Sequence, residues 1–210
     1  MFPALYAILD VSPAAGPDAS VARIFADAGV KLIQIRDKKA SPRKIYDASK
    51  RLAEKLTPAG VRIIVNDRPD IAAVIGAGGV HVGQEDLPVE AARKICGSAR
   101  WVGISTHNLE QLRAANLTSA DYIAVGPIFP TATKENPDPV VGLEFLRAAR
   151  QITKKPLVAI GGITIESAEA VFRAGADSVA VVRDLASAGD PALRVREYLA
   201  IAGLVLSHRA

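Results

Sequence analysis

Short β-branched apolar runs alternate with longer amphipathic stretches from one end of the chain to the other. The runs Leu5–Asp10, Lys31–Arg36, Arg62–Asp67, Gly79–Gly83, Trp101–Thr106, Tyr122–Gly126, Pro156–Gly161 and Ser178–Arg183 have the composition and length of strands. Between them, apolar residues recur at spacings of three and four, as in Ser41–Leu56 (Ile45, Ala48, Leu52, Leu56) and Ser167–Ala174. Ser41-Pro42 and Asn66…Pro69 read as helix starts, and Gly29, Gly60, Gly78 and Gly175 as residues that follow helices. Eight strands, each followed by a helix, imply right-handed crossovers and a closed parallel sheet, a (β/α)8 TIM barrel of the α/β class. An open doubly wound sheet would carry a Gly-rich turn after its first strand, and Asp10-Val11-Ser12-Pro13 is not one.

Strands buried on both faces should read as nearly unbroken Val, Ile and Leu. Several here turn polar at their C-terminal ends, the face on which barrels of this kind build active sites. Gln34, Arg36 and Lys38 share one face of the second strand, opposite Ile33 and Ile35. The face toward the helices must be apolar, so the polar set points into the barrel mouth and suits a polyanion. Asp67 ends the third strand and Asp86 follows the fourth, with Glu85 beside it. Carboxylates at the ends of adjacent strands can share a hard cation such as Mg2+, which takes one or two carboxylates plus phosphate oxygens. The plainer readings of Asp67 are a helix cap or a pair with Arg68. Ser105 ends the fifth strand, and Thr131-Ala132-Thr133-Lys134 places two hydroxyls and an ammonium in the long segment 127–140, which has the length of a lid. Ile160-Gly161-Gly162-Ile163 and Val181-Val182-Arg183-Asp184 follow strands seven and eight, where barrels often hold a phosphate.

Composition narrows the classes. The 210 residues are 50% hydrophobic and 23% charged, enough for one domain spanning residues 1–210. No long apolar run suggests a membrane span, and the N-terminal residues lack the basic flank and apolar stretch of a signal peptide. The single cysteine, Cys96, fits a reducing cytoplasm and a buried small side chain. A net charge of +4 invites nucleic acid as a partner, but the basic residues are scattered and only 5% of residues are aromatic. Small anionic substrates suit the charge better; a homo-oligomer is left open. His81 lies mid-strand and reads as a structural hydrogen-bonding residue, and His107 as a loop residue. No two histidines have zinc-ligand spacing, and Ser105 lacks a Gly-x-Ser-x-Gly turn or a His/Asp pair.

These residues together resemble the thiamine phosphate synthase family, in order across nearly the whole chain. The matching stretches are Gln34–Lys38, Asn66–Asp70, Gly79–Pro88, Gly103–His107, Asp121–Lys134 and Ala159–Ile163. The resemblance implies a transferase of thiamine biosynthesis that joins hydroxymethylpyrimidine pyrophosphate to a thiazole phosphate and releases pyrophosphate. It further implies that Gln34, Ile35, Arg36, Asp37, Lys38, Asn66, Ser105 and Lys134 contact the pyrimidine pyrophosphate. Asp67 and Asp86 would ligate magnesium, and Thr131, Ala132, Thr133, Gly162, Val182 and Arg183 would contact the thiazole phosphate. Arg36, Lys38, Ser105 and Lys134 form the implied catalytic set. Arg183 departs from the family pattern, which commonly has a small residue there, often serine. The competing readings are a thiazole tautomerase, a non-catalytic binding barrel, and a phosphosugar isomerase or epimerase, the last requiring an acid–base pair that the sequence does not offer.

Overall fold

The computed structural model describes residues 1–10, 19–131 and 138–209. Its strands are β1 (Leu5–Asp10), β2 (Leu32–Arg36), β3 (Arg62–Asn66), β4 (Gly79–Val82), β5 (Trp101–Thr106), β6 (Tyr122–Val125), β7 (Leu157–Ile160) and β8 (Ser178–Val181). The helices are α1 (Ala19–Asp27), α2 (Pro42–Leu56), α3 (Pro69–Val74), α4 (Val89–Cys96), α5 (Leu109–Asn116), α6 (Gly142–Ile152), α7 (Ile165–Arg173), α8 (Arg183–Ala186) and α9 (Pro191–Leu206). All neighbouring strands are parallel, and β8 pairs back onto β1 to close the barrel.

The expected elements form where local chemistry starts and stops them. The Ser41 side chain accepts the Lys44 N–H ahead of Pro42 in α2, Asn108 accepts Gln111 N–H at α5, and Asp190 accepts Leu193 N–H ahead of Pro191 in α9. One expected helix end moves. Gly76, with φ 67°, follows α3, while Gly78 leads into β4 and a Cβ there would lie 2.4 Å from Arg62 Cγ. Gly78 is therefore glycine for space rather than for a left-handed turn.

Strand alternation divides the core into two shells. Outward residues such as Leu5, Ala7, Ile33, Ile35, Ile63 and Val179 pack against the helices. Inward residues Tyr6, Ile8, Leu32, Ile64, Tyr122, Ala124, Val158 and Ala180 fill the barrel itself. At the N-terminal end Phe2 stacks on Trp101 with ring centroids 5.1 Å apart, and the Arg62 guanidinium lies 4.0 Å over the indole. That end is closed. Two carboxylates reinforce it in the same way: Asp121, paired with Arg93, accepts Val102 N–H at 2.7 Å, and Asp177, paired with Arg150, accepts Leu157 N–H at 2.8 Å.

Two glycines separate steric need from backbone entropy. A Cβ on Gly79 would sit 2.2 Å from the Trp101 carbonyl oxygen, whereas one on Gly203, in exposed α9 surface, meets nothing within 4 Å. Gly79→Ala is expected to destabilise by about 1–3 kcal/mol or more, and Gly203→Ala to stabilise by about 0.5–1 kcal/mol; urea unfolding of the two variants checks both signs.

Candidate functional site

With the N-terminal end sealed, a cavity of about 1040 Å³ opens at the C-terminal ends of the strands. One side of it is charged. Arg36 at the end of β2 and Lys38 just beyond it line the cavity with Asn66, Asp67 and Asp86. Lys38 Nζ lies 3.8 Å from Asp67, and Arg36 lies 3.8 Å from Asp10.

Asp67 is the one non-glycine described residue in the left-handed region, at φ 60°. Its N–H donates to the His81 carbonyl at 2.7 Å, extending the β3–β4 pairing by one residue before the chain turns. This conformation costs most residues about 1–2 kcal/mol, and aspartate tolerates it better than most. The plainer roles for Asp67 are not what the structure shows. Arg68 pairs with Asp70 instead, and α3 has no side-chain cap. Asp67 is thereby free to meet Asp86, whose own carboxylate accepts the Gly83 N–H at 2.7 Å. Burial first, then the hydrogen bond and charge of Asp86, push the Asp67 carboxyl up to about 6, against the pull of Lys38 and Arg36. Two carboxyls that share a proton in this way have the chemistry to share a cation. Among the described residues no group of three or more His, Cys, Asp or Glu side chains gathers to hold a metal. The pair therefore suits a cation that completes its shell with water and ligand oxygens.

The floor of the cavity is a chain of hydrogen bonds between buried side chains. Gln34 Nε2 donates to Tyr6 Oη at 2.8 Å, Tyr6 and Tyr122 hydroxyls meet at 3.0 Å, and Tyr122 Oη lies 3.0 Å from His81 Nδ1. His81 Nε2 then meets Ser105 Oγ at 2.8 Å. Burial lowers the His81 ring to about 4, with Asp86 pulling weakly the other way, so the imidazole is neutral at pH 7.

The opposite side is built from loops. Ile128 N–H donates to the Ile160 carbonyl at 2.9 Å and Phe129 N–H to the Gly161 carbonyl at 3.0 Å, zipping the segments after β6 and β7 together. Gly161 and Gly162 have φ 99° and 64°, and a Cβ on Gly162 would lie 2.5 Å from the Pro130 carbonyl oxygen. The glycine pair is thus required by loop packing as well as by access to the cavity. Thr131, Gly162, Val182 and Arg183 all line this side. His107 joins it to the fifth loop: Nδ1 lies 2.6 Å from the Gly126 carbonyl and Nε2 3.6 Å from Asp138.

The structure therefore gathers Gln34, Arg36, Lys38, Asn66, Asp67, Asp86, Ser105, Thr131, Gly162, Val182 and Arg183 around one cavity. Ile35 and Asp37 stand apart from it. Ile35 is fully buried in the shell against the helices. Asp37 is buried in the turn, where its Oδ1 accepts the N–H groups of Lys39 and Ala40 at 2.8 and 2.9 Å. Their side chains shape the segment that presents Arg36 and Lys38. Ala132, Thr133 and Lys134 lie outside the described residues.

The thiamine monophosphate synthase family profile matches residues 5–185, which takes in every strand of the barrel. The chain belongs to this family. A thiamine-phosphate synthase of Koribacter versatilis is 50% identical over 205 residues, covering 95% of each chain. One of Chloroflexus aurantiacus is 41% identical over 198 residues, covering 94% of this chain and 91% of its own. Among solved structures, thiamine phosphate pyrophosphorylase from Pyrococcus furiosus superposes with a TM-score of 0.86 at 33% identity, covering 97% and 96% of the two chains. Among the described residues no helix is long and apolar enough to cross a membrane.

Within this thiamine monophosphate synthase barrel, sequence reasoning missed Tyr6, Gln84 and Asp138 at the cavity, and Tyr122 buried behind Tyr6 and His81. The two tyrosines had a visible signal, a phenol at an inward strand position. Gln84, whose Nε2 donates to the Ser105 carbonyl at 2.6 Å, and Asp138 had none, because loops bring them in.

The carboxyl pair has a measurable signature in metal-free protein. A carboxyl held at about 6 binds its proton more tightly folded than unfolded. Its contribution is therefore present below about pH 4 and lost as pH rises through about 6. His81, lowered to about 4, acts in the opposite sense over nearly the same window. The informative quantity is a difference: Asp67→Asn, which keeps a residue tolerant of the left-handed backbone, should gain stability over the wild type as pH rises from 4 to 7. Denaturant melts at stepped pH with chelator present measure it; a constant difference would contradict the shared-proton geometry.

Proposed function

We propose that this protein is a thiamine phosphate synthase, a transferase that joins hydroxymethylpyrimidine pyrophosphate to a thiazole phosphate and releases pyrophosphate, with magnesium held by Asp67 and Asp86. The observation that carries this reading is one cavity in which a wall of paired carboxylates and cations faces a wall of glycine-rich loops ending in Arg183. On one side the acid pair is bordered by Arg36 and Lys38; on the other, Gly162, Val182 and Arg183 line the wall formed by the later loops.

In the overall reaction the bond between the pyrimidine methylene carbon and the pyrophosphate oxygen breaks, its electron pair leaving with pyrophosphate. The thiazole nitrogen lone pair forms the new bond to that carbon. No proton must be removed, which agrees with a floor whose histidine is buried, neutral and already hydrogen-bonded at both nitrogens. A pyrimidine able to delocalise positive charge favours a dissociative path. Magnesium, when bound, would neutralise negative charge that develops on the leaving pyrophosphate. Arg36 and Lys38 add fixed positive charge beside it, already in place before the bond breaks. Gln34, Asn66 and Ser105 orient the pyrimidine from the floor, and the apolar wall of Ile8, Ala124, Val158 and Ala180 keeps water from the electron-poor carbon. Thr131, Gly162, Val182 and Arg183 hold the thiazole phosphate. The family resemblance assigns Ala132 and Thr133 to the same phosphate and Lys134 to the pyrophosphate, and these three lie outside the described residues. The lone Cys96, buried and unbridged, suits a cytoplasmic enzyme.

Purified protein incubated with both substrates should give thiamine phosphate with magnesium and none after chelation. No product from fresh protein would reject the reading. Asp67→Ala and Asp86→Ala should each lower kcat at least ~100-fold, as expected when leaving-group stabilisation is lost. A thiazole tautomerase, which has no pyrophosphate to bind, would keep its activity in both. Arg183 is exposed at the start of α8, and a guanidinium there can grip a phosphate with two hydrogen bonds. Arg183→Ala should raise the KM for thiazole phosphate by roughly ten-fold with the KM for pyrimidine pyrophosphate unchanged; an unaltered thiazole KM removes Arg183 from the site.

A further inference from the structure

We infer that His81 and Tyr122 are positioning residues for Ser105: with Tyr6 and Gln34 they form a one-directional hydrogen-bond array that presents the Ser105 hydroxyl to the cavity as a donor. The role assigned to Ser105 rests on the function proposed above; the array itself does not.

The direction follows from counting protons. The Gln34 amide nitrogen only donates, so Tyr6 Oη accepts at 2.8 Å. A phenol has one proton, and that of Tyr6 is then directed to Tyr122 Oη at 3.0 Å. The Tyr122 proton goes on to His81 Nδ1, also 3.0 Å away. Nδ1 is thereby an acceptor, which puts the imidazole proton on Nε2, where it is donated to Ser105 Oγ at 2.8 Å. The lone-pair side of the serine that faces the floor is thus engaged, and its own proton is left for the cavity, which Ser105 lines. Burial holds both phenols protonated, so neither end of the tyrosine pair can drop out of the chain at neutral pH.

The scaffold holds this order in place. Tyr6, Tyr122 and His81 are 1%, 0% and 6% exposed, leaving little competing water. The His81 ring stacks on Tyr122 at 5.5 Å and the two tyrosines meet edge-on at 6.0 Å. Room for Tyr122 comes from Gly103, two residues before Ser105 on the same face of β5. A Cβ there would lie 2.0 Å from Tyr122 Cζ and 2.4 Å from its oxygen. A serine hydroxyl on its own rotates and donates as readily to water as to a ligand. Engaged from behind by a fixed N–H, it is pre-organised to donate to an acceptor such as a pyrimidine ring nitrogen, with less freedom lost on binding. The opposite order, in which the Gln34 oxygen faces Tyr6, would make Ser105 donate into the floor and offer the ligand only lone pairs.

Two measurements test this. In ligand-free protein labelled with 15N-histidine, the His81 signal, assigned by its loss in His81→Gln, should show a protonated Nε2 and an unprotonated Nδ1; a protonated Nδ1 overturns the array. This readout needs no substrate. The second is a double-mutant cycle on turnover. Tyr122→Phe should lower kcat/KM for the pyrimidine pyrophosphate about ten-fold, the size of one well-placed hydrogen bond. The KM for thiazole phosphate should stay within about two-fold of wild type, because the array ends on one half of the cavity. In a Ser105→Ala background the same substitution should cost nothing further. His81→Gln, whose amide can still donate to Ser105, should keep most of the activity that His81→Leu loses. Losses that add across the cycle, or that fall equally on both substrates, overturn the positioning role and mark a merely structural one. Full activity in Ser105→Ala overturns it too. A wild type without turnover would reject the proposed function instead, and the tautomer result separates the two failures.

Discussion

Closure of eight parallel strands leaves no edge, and every strand residue must then face either the helices or the barrel interior. Both destinations are dry, so each inward polar atom needs a partner within the barrel. From that constraint the layout of the molecule follows. The N-terminal end is filled by Phe2, Trp101 and the Arg62 guanidinium, while polar side chains collect at the other end, where the cavity can hydrate them or a ligand can satisfy them.

The charged half of the cavity is held against its own electrostatics. Asp67 adopts a left-handed backbone that costs about 1–2 kcal/mol in most residues, and it stands beside a second carboxylate. Burial first, and then the neighbouring Asp86, outweigh the pull of Lys38 and Arg36, so the Asp67 carboxyl retains its proton into the mildly acidic range. Such an arrangement is stabilised by what binds it. A cation between the carboxylates and a polyanion over the two basic side chains would each relieve a conflict present in the protein alone.

Several contacts that shape the site join residues far apart in sequence, and small residues make them possible. Gly103 leaves the volume that Tyr122 occupies, and Gly161 and Gly162 admit the chain between Pro127 and Pro130. The same pairing of a small residue with a bulky partner recurs at Gly79, which sits against the Trp101 carbonyl at the closed end. Packing density in the interior makes these substitutions unforgiving, since a methyl group has nowhere to go without moving backbone.

The alternation of apolar runs and amphipathic segments was enough to place eight strands and their closure, because strand and helix periodicities are local and a parallel barrel buries both strand faces. Gln34, Arg36 and Lys38 were legible as one inward row for the same reason, and Asp67 and Asp86 as carboxylates at neighbouring strand ends. Composition could not say that Ile35 and Asp37 turn away from the cavity; alternation could, once the outward face was known to be apolar. What only the tertiary structure decided was which distant groups meet. The Gln34–Tyr6–Tyr122–His81–Ser105 chain draws on five strands, and His107 with Asp138 and Gln84 with Ser105 are brought together by loop geometry. Hydrogen-bond order and carboxyl proton-sharing depend on distances of about 3 Å between such groups, and no spacing along the chain encodes those.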